Sequence, residues 1–272
     1  TCSSTQISGM SKNAFESYLF KDGKPMALTS LNKSDEAPFQ YGHLSLKAIL
    51  AVRDKRLAQT IDTVLLYNGR GFTRFNTGME STSSTGYGVA KYDNEAIPEG
   101  FRSQSGKNYT HAPLFWLSVI YLNYAEACAE LGNITQDDLD KSINLLKDRA
   151  GLPHLNPIVG FSDPANNHGV SDLIWEIRRE RRCELMFDND NRYWDLIRWH
   201  QLDKLDTTKY PDIILGANVA NDMDGCEANK VGKYIDGSKD GSRIYDKKHY
   251  LYPIPTGQIA LNPQLAPNNP GW

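Results

Sequence analysis

The sequences IRRERRCEL at residues 177–185 and RYWDLIRW at residues 192–199 decide the fold, because both place charges among apolar residues at helical spacing. Four charged residues fall inside the apolar stripes of the two predicted helices: Arg181, Glu184, Asp195 and Arg198. A buried charge persists in a protein when an opposite charge is paired with it. The pattern therefore predicts a structural ion-pair network that joins the two helices.

Glu180 and Glu184 stand one helical turn apart, which is also a spacing that an acid–base pair of carboxylates can use. The arginines around them would keep both carboxylates ionised, and this favours an ion-pair lock over a proton donor. The chain has no His-Glu-x-x-His spacing, no Gly-x-Ser-x-Gly elbow and no phosphate-binding Gly-x-x-x-x-Gly-Lys loop. We therefore predict no catalytic residues and a protein that is not an enzyme.

Charge and composition exclude several classes of protein. The 272 residues include 30 basic and 33 acidic side chains, for a net charge of −3, so no nucleic-acid partner is expected. No apolar run approaches the roughly 18 residues of a membrane-spanning helix. The four cysteines, at positions 2, 128, 183 and 226, fit no metal spacing and are expected to be unpaired. The acidic stretch 222–227 lacks the ligands of a calcium loop, so we predict a surface turn and no metal or cofactor.

Hydrophobic periodicity, capping residues and turn residues place the elements along the chain. Helices are predicted at 44–58, 114–131, 136–150, 171–187 and 191–205, and a strand at 61–67. Loops are predicted at 68–88 and 206–243, an extended segment at 245–255, and an irregular tail after it.

The helical hairpin at about 113–151 resembles a tetratricopeptide repeat through Leu122-Asn-Tyr-Ala-Glu-Ala127 and Leu131-Gly132. Its first helix is apolar on nearly every face, which is typical of a helix buried on several sides. One such repeat cannot cover its own apolar faces. We therefore expect these 272 residues to expose a large apolar face, to pair with a missing N-terminal part, or to self-associate.

Several motifs, in this order, resemble the SusD-like (RagB/SusD) family over about residues 15–272. They are 22–25, 53–57, 85–87 with 91–92, the charged helices 177–185 and 192–199, Tyr-Leu-Tyr-Pro-Ile-Pro at 250–255, Leu-Asn-Pro at 261–263 and the closing Asn-Pro-Gly-Trp at 269–272. The resemblance implies a mostly α-helical fold, with the tetratricopeptide-like hairpin, helices joined by long loops, and a few short strands. The expected organisation of 1–272 is the C-terminal portion of one SusD-like domain: the hairpin at about 113–151, signature helices at about 171–205, and a C-terminal loop and tail at 206–272.

The resemblance also implies a function. Family members bind glycans such as starch without cleaving them, are lipid-anchored on the outer face of an outer membrane, and deliver the ligand to a SusC-like TonB-dependent transporter. The expected partners are thus a glycan and that transporter, and contact with the membrane would come only through a lipid anchor absent from this chain.

Sugar contacts vary within the family, so candidates come from the residues themselves. Aromatic rings beside hydrogen-bonding side chains in a surface loop are typical of sugar recognition. The loop after the predicted strand 61–67 has this composition, and its candidates for glycan contact are Tyr67, Asn68, Arg70, Phe72, Phe75, Asn76 and Tyr87. An alternative places Tyr67 and Tyr87 in the core under the loop. A second alternative makes the chain a helical-repeat module that binds a protein or peptide, which an exposed apolar groove on the hairpin would favour.

Overall fold

The computed structural model describes residues 9–31, 46–63, 83–91, 96–98, 101, 106–107, 109, 111, 113–188, 191–218, 230–238 and 241–272. This part of the chain is mostly helical, which confirms the predicted fold class. The α-helices are α1 Lys12–Glu16, α2 Lys47–Leu50, α3 Lys55–Thr60, α4 Leu117–Glu130, α5 Gln136–Asp140, α6 Ile143–Ala150, α7 Asp172–Glu184, α8 Asn191–Arg198 and α9 Thr256–Leu261. Short 3₁₀ helices occupy Leu202–Leu205, Pro211–Ile213, Lys247–Tyr250 and Pro263–Leu265.

The predicted hairpin consists of α4 followed by α5 and α6, and it packs against α7. Buried leucine and isoleucine side chains from these helices form one core: Leu122, Leu139, Ile143, Leu146 and Ile177. The second helix is not continuous, because the Ser142 hydroxyl bonds the carbonyl of Asp138 and the chain turns between α5 and α6. It ends at Gly151, whose φ of 70° terminates the helix as predicted.

One face of α4 is left uncovered by the described residues. Leu117, Ile120 and Leu131 are 63, 61 and 76% exposed, and Phe115 just before the helix is 94% exposed. Apolar side chains grouped in this way form a surface that is normally covered by protein. The exposed apolar face expected from the sequence is therefore present.

Helices α7 and α8 carry the two sequences that decide the fold. Ser171 caps α7, with its hydroxyl accepting from the amide of Ile174 at 3.3 Å. Helix α8 ends at Arg198 and does not continue to residue 205 as predicted. His200 adopts a left-handed φ of 53°, which breaks the helix, and the chain resumes as the 3₁₀ helix Leu202–Leu205.

A small antiparallel sheet lies where loops were predicted between residues 206 and 243. Its strands are β1 Leu215–Asn218, β2 Lys230–Val231 and β3 Tyr234–Asp236, in the order β1-β3-β2. The register places Leu215 opposite Asp236, with an irregularity before Asn218. Gly216 passes so close to the backbone of Thr85 that a Cβ there would lie 2.2 Å from its carbonyl oxygen. The prediction of loops throughout this segment, and of a tail without helix, is wrong.

The N-terminal core lies beneath α1, α2 and α3. The predicted helix 44–58 is divided into α2 and α3, because Arg53 leaves the helical path and its guanidinium donates to the carbonyls of Phe15 and Tyr18. The ring of Phe20 lies 4.2 Å from that guanidinium. Asp54 then caps α3 by accepting from the amide of Arg56 at 2.9 Å.

Candidate functional site

The predicted ion-pair network between α7 and α8 exists around Asp195. Arg181 donates to Asp195 at 2.7 Å and Arg198 donates to the same carboxylate at 2.8 Å. Arg198 also reaches Glu126 of α4 at 2.6 Å, so three helices share one cluster. Asp195 is 4% exposed, and its two arginines satisfy a charge that would otherwise be stranded in the core.

Glu184 does not belong to this network, so the prediction that placed it there is wrong. It lies on the side of α7 that faces α3, where Arg56 bonds it at 2.9 Å, and it is also bonded by Arg149 of α6. The spacing on α7 placed Glu184 inside the apolar stripe. Its partners, Arg56 and Arg149, lie 128 and 35 positions away along the chain, so the spacing on α7 could not identify them.

Arg56 ties together the carboxylates of a second cluster. It bonds Asp54 at 2.7 Å and also bonds Glu180. Burial alone would raise the pKa of Glu180, but Arg56 and Lys147 outweigh it and hold the pKa below its usual value. Glu180 is therefore held as a carboxylate by cations, and Glu184 one turn away is bonded by Arg56 and Arg149, an arrangement unsuited to proton donation by Glu180.

The opposite side of α7 borders a cavity of about 860 Å³, between the segment around α1, residues 163–167, α8 and the 3₁₀ helix that follows it. Six basic side chains line the cavity: Arg178, Arg179, Arg182, Arg192, Lys204 and Arg243. Three acidic side chains also line it: Glu16, Asp163 and Asp212. Positive charge is therefore in excess in this cavity.

The acids of the cavity are already engaged. Asp163 is paired with Arg179, and Glu16 with Lys12 at 2.6 Å. Asp212 accepts from the amide of Asn13 at 2.6 Å. The side-chain oxygen of Asn13 in turn accepts a hydrogen bond from Arg182 at 2.7 Å. Asp212 is therefore linked to that arginine only through the side-chain amide of Asn13.

Two cations of the cavity stay uncompensated. The side chains of Arg192 and Lys204 have no hydrogen-bond or ion-pair partner in the part of the chain that the structure describes. Burial, and then Arg182, lower the pKa of Arg192 to about 9. Burial, followed by Arg192 and Arg182, lowers the pKa of Lys204 to about 7. Each cation therefore disfavours the charge of the others.

Aromatic rings stand beside these cations. The Lys204 ammonium lies 4.5 Å from the ring of Trp175, and the Arg178 guanidinium lies 4.5 Å from the ring of Trp199. Each indole is fixed by its own hydrogen bond, Trp175 to Asp163 at 3.2 Å and Trp199 to Glu126 at 2.6 Å. The cavity thus combines rigid rings with cations, although both serve partly to stabilise each other.

The structure brings none of the predicted glycan contacts to this cavity. Residues 64–82 lie outside the described residues, and with them Tyr67, Asn68, Arg70, Phe72, Phe75 and Asn76. Tyr87 is described and is 4% exposed, with its ring stacked on Phe15 at 4.5 Å between centroids. We therefore remove Tyr87 from the direct contacts and assign it the supporting role that the alternative gave it, because a buried ring offers no face to a sugar.

Sequence reasoning missed the cavity for a physical reason. Arg178, Arg182 and Arg192 were visible as basic residues of the signature helices, but periodicity alone does not show which side of a helix meets an empty space. A signal was available in the balance of charges, since residues 177–185 contain four arginines and two glutamates. Glu176, just before this stretch, pairs with Arg179, whereas Arg182 bonds the side-chain amide of Asn13.

The remaining predictions on cysteine, metal and membrane concern absences. Cys128 and Cys183 are free thiols, and burial raises the pKa of Cys183 to about 12, while Cys2 and Cys226 lie outside the described residues. Within the described ranges, no group of three histidine, cysteine or acidic side chains is arranged to hold a metal ion. No helix in that same part of the chain has the length and apolar character needed to cross a bilayer.

Comparison with known proteins gives a family and a fold. A family model described as the SusD family matches residues 4–272. A solved structure described as selenomethionine BT4246 superimposes with a TM-score of 0.63 at 24% sequence identity, covering 96% of this chain. The chain spans 46% of the length of that structure. A search of curated proteins found no match.

Proposed function

We propose that this chain, which belongs to the SusD family, is part of a surface glycan-binding subunit of an outer-membrane nutrient-uptake complex. It binds an oligosaccharide or polysaccharide, does not cleave it, and passes it to a SusC-like TonB-dependent transporter. A lipid anchor holds the protein on the outer face of the membrane. The family match over residues 4–272 is the observation that carries this proposal.

The geometry of the two neighbouring carboxylates on α7 supports the non-catalytic part of the proposal for the described residues. The two carboxylates that stand one turn apart on α7, Glu180 and Glu184, are both bonded by Arg56. A carboxylate held ionised by a buried guanidinium does not donate a proton near neutral pH. The purified protein should release no reducing sugar from any glycan that it binds, and release would overturn this part.

The glycan contact is proposed for the segment that precedes Tyr87. Stacked aromatic rings bury apolar area at little entropic cost, so one or two of them should dominate the affinity. We assign this role to Tyr67, Phe72 and Phe75, and hydrogen bonding to the sugar hydroxyls to Asn68, Arg70 and Asn76. Tyr87 supports the segment from the core.

A glycan array with the full-length protein tests the function, and calorimetry with the best ligand tests the contact. Phe72→Ala and Tyr67→Ala should each weaken binding about tenfold or more. Tyr109→Ala is the matched control, because Tyr109 is also an exposed aromatic residue, 64% accessible, outside that segment. Unchanged affinity in Phe72→Ala and Tyr67→Ala would move the contact elsewhere, whereas failure to bind any glycan would reject the function.

The uncovered face of α4 favours a second candidate, a helical-repeat module that binds a protein or peptide. Leu117, Ile120 and Leu131 form that face. In this case Ile120→Asp would abolish capture of the protein partner and leave glycan binding unchanged. Glycan binding by the full-length protein, with no protein partner lost on Ile120→Asp, would exclude this candidate.

A further inference from the structure

The cavity beside α7 has the chemistry of an anion site. We propose that it binds an acidic sugar residue, one that carries a carboxylate or a sulfate group, and that Arg182, Arg192 and Lys204 contact the anionic group. This inference rests on the proposed function, since it names the class of glycan. It concerns a different set of residues from the aromatic segment proposed above.

The cavity contains positive charge that no acidic side chain of the described residues neutralises. Arg192 and Lys204 lie on α8 and on the 3₁₀ helix after it, and neither side chain is bonded within the described residues. The acids that line the same space are each engaged by another side chain, and Asp212 reaches Arg182 only through Asn13. Placing cations together in this way costs stability, unless a ligand supplies the missing negative charge.

A structural explanation is weaker for Arg192 and Lys204 than it is for the cations of α7. Arg181 and Arg179 each meet a carboxylate directly, Asp195 at 2.7 Å and Glu176 at 3.1 Å. Arg192 and Lys204 have no such partner, and the lowered pKa values of both groups agree with this geometry. The contrast is typical of a binding site, where unpaired charges that can bind a ligand lower the stability of the folded protein.

The size of the cavity and its other lining residues suit a sugar. A volume of about 860 Å³ lies within the range of roughly 300–1,000 Å³ that small-molecule sites occupy. Trp175 and Trp199 present rings beside the cations, and Tyr210 and Asn167 add a hydroxyl and an amide that are bonded to each other at 2.9 Å. Rings suit the apolar face of a sugar, and the polar groups suit its hydroxyls.

The donors of the cavity suit an oxyanion that is attached to a larger ligand. The planar guanidinium of arginine donates two parallel hydrogen bonds to a carboxylate, sulfate or phosphate, and the lysine ammonium adds a point charge. A bare inorganic ion would leave most of the cavity empty, including both indole rings. The combination therefore favours an oxyanion carried by a sugar ring over an isolated ion.

Calorimetry with the full-length protein tests the inference. The probes are digalacturonate, a sulfated disaccharide, the carboxyl-reduced neutral form of the first, and inorganic sulfate. We expect one or both acidic disaccharides to bind at least about tenfold more tightly than the neutral form. Arg192→Gln and Lys204→Gln should each weaken that binding about tenfold or more, because each removes a charge that faces the ligand.

The control is Lys209→Gln, which removes the same charge from an exposed lysine that does not line the cavity. It should bind the acidic disaccharides like the parent. Thermal unfolding without ligand provides a second readout. Removing Arg192 or Lys204 should leave the melting temperature unchanged or raise it, because the cations repel each other.

Different results overturn different statements. If only inorganic sulfate binds, the site takes a simple anion and the sugar assignment is wrong. If Arg192→Gln and Lys204→Gln each lower the melting temperature by several degrees without ligand, these cations are paired with part of the protein and the cavity is structural. If neutral glycans bind the parent and both variants equally and acidic ones do not bind, this inference fails and the proposed function stands. If no glycan binds in any assay, both fail.

Discussion

The two sides of α7 balance their charges in opposite ways. On one side, Arg56 forms ion pairs with both Glu180 and Glu184, so the buried carboxylates and the cation neutralise one another. On the other side, Arg182 shares the cavity with Arg192 and Lys204, where positive charge is in excess. A residue-by-residue count of arginine and glutamate would treat both sides alike. Pairing geometry, and not the number of charges, therefore separates a stabilising cluster from a candidate binding site.

Of the substitutions considered, removal of Arg56 from the Glu180–Glu184 side of α7 should lower the free energy of unfolding the most. Arg56→Met would leave Asp54, Glu180 and Glu184 without their shared cation in a buried setting. We expect a loss of about 3–5 kcal/mol in the free energy of unfolding, measured by chemical denaturation. A variant that unfolds at the denaturant midpoint of the parent would show that the cluster contributes nothing to stability.

Asp195→Asn should have the next largest effect. The asparagine keeps the size of the side chain but removes the charge that Arg181 and Arg198 share. The loss should be about 1.5–3 kcal/mol, because charged hydrogen bonds are weakened and no carboxylate is stranded. The check is the same denaturation curve, and a loss as large as that of Arg56→Met would contradict the ranking.

On the cavity side of α7, removing a cation should raise the stability of the protein, and the size of this effect should depend on pH. Because the pKa of Lys204 falls to about 7 in the folded protein, unfolded chains bind more protons than folded ones between pH 7 and the ordinary lysine pKa. Folding stability should therefore rise with pH across that window. Lys204→Gln should raise the melting temperature at pH 6 and lose this advantage toward pH 9. A variant less stable than the parent at pH 6 would contradict the prediction.

An exposed ion pair gives the smallest effect and serves as the reference for the others. Lys141 bonds Asp137 at 2.8 Å, but the two side chains are 53 and 82% exposed. Water screens such a pair almost completely. Lys141→Gln should leave the denaturation midpoint within measurement error, and a clear shift would show that geometry alone does not rank these pairs.

The sequence predicted the fold class and most helix positions because they depend on local patterns. Ser171 and Gly151 stand at the cap positions expected of them. The short strands of the sheet were missed because their pairing is made between residues distant in sequence. Leu215 pairs with Asp236, across a stretch rich in glycine, asparagine and aspartate that is typical of loops.

The candidate site was predictable only in part. Arg181, Asp195 and Arg198 were placed together correctly, since their spacing on two neighbouring helices fixes them on facing sides. The partners of Glu184 depended on Arg56, which lies in α3 far along the chain. The cavity also includes Lys204, which follows the left-handed bend at His200 and lies 4.5 Å from the ring of Trp175, and such a bend carries no periodic signal.

His200 divides two stretches of chain that can change independently in evolution. Before it, α8 carries Asp195, whose replacement would disturb three helices. After it, Lys204 lines the cavity and bonds no other side chain in the described structure. Single substitutions beyond the bend can therefore alter the charge of the cavity, while the stability of the helical scaffold is kept.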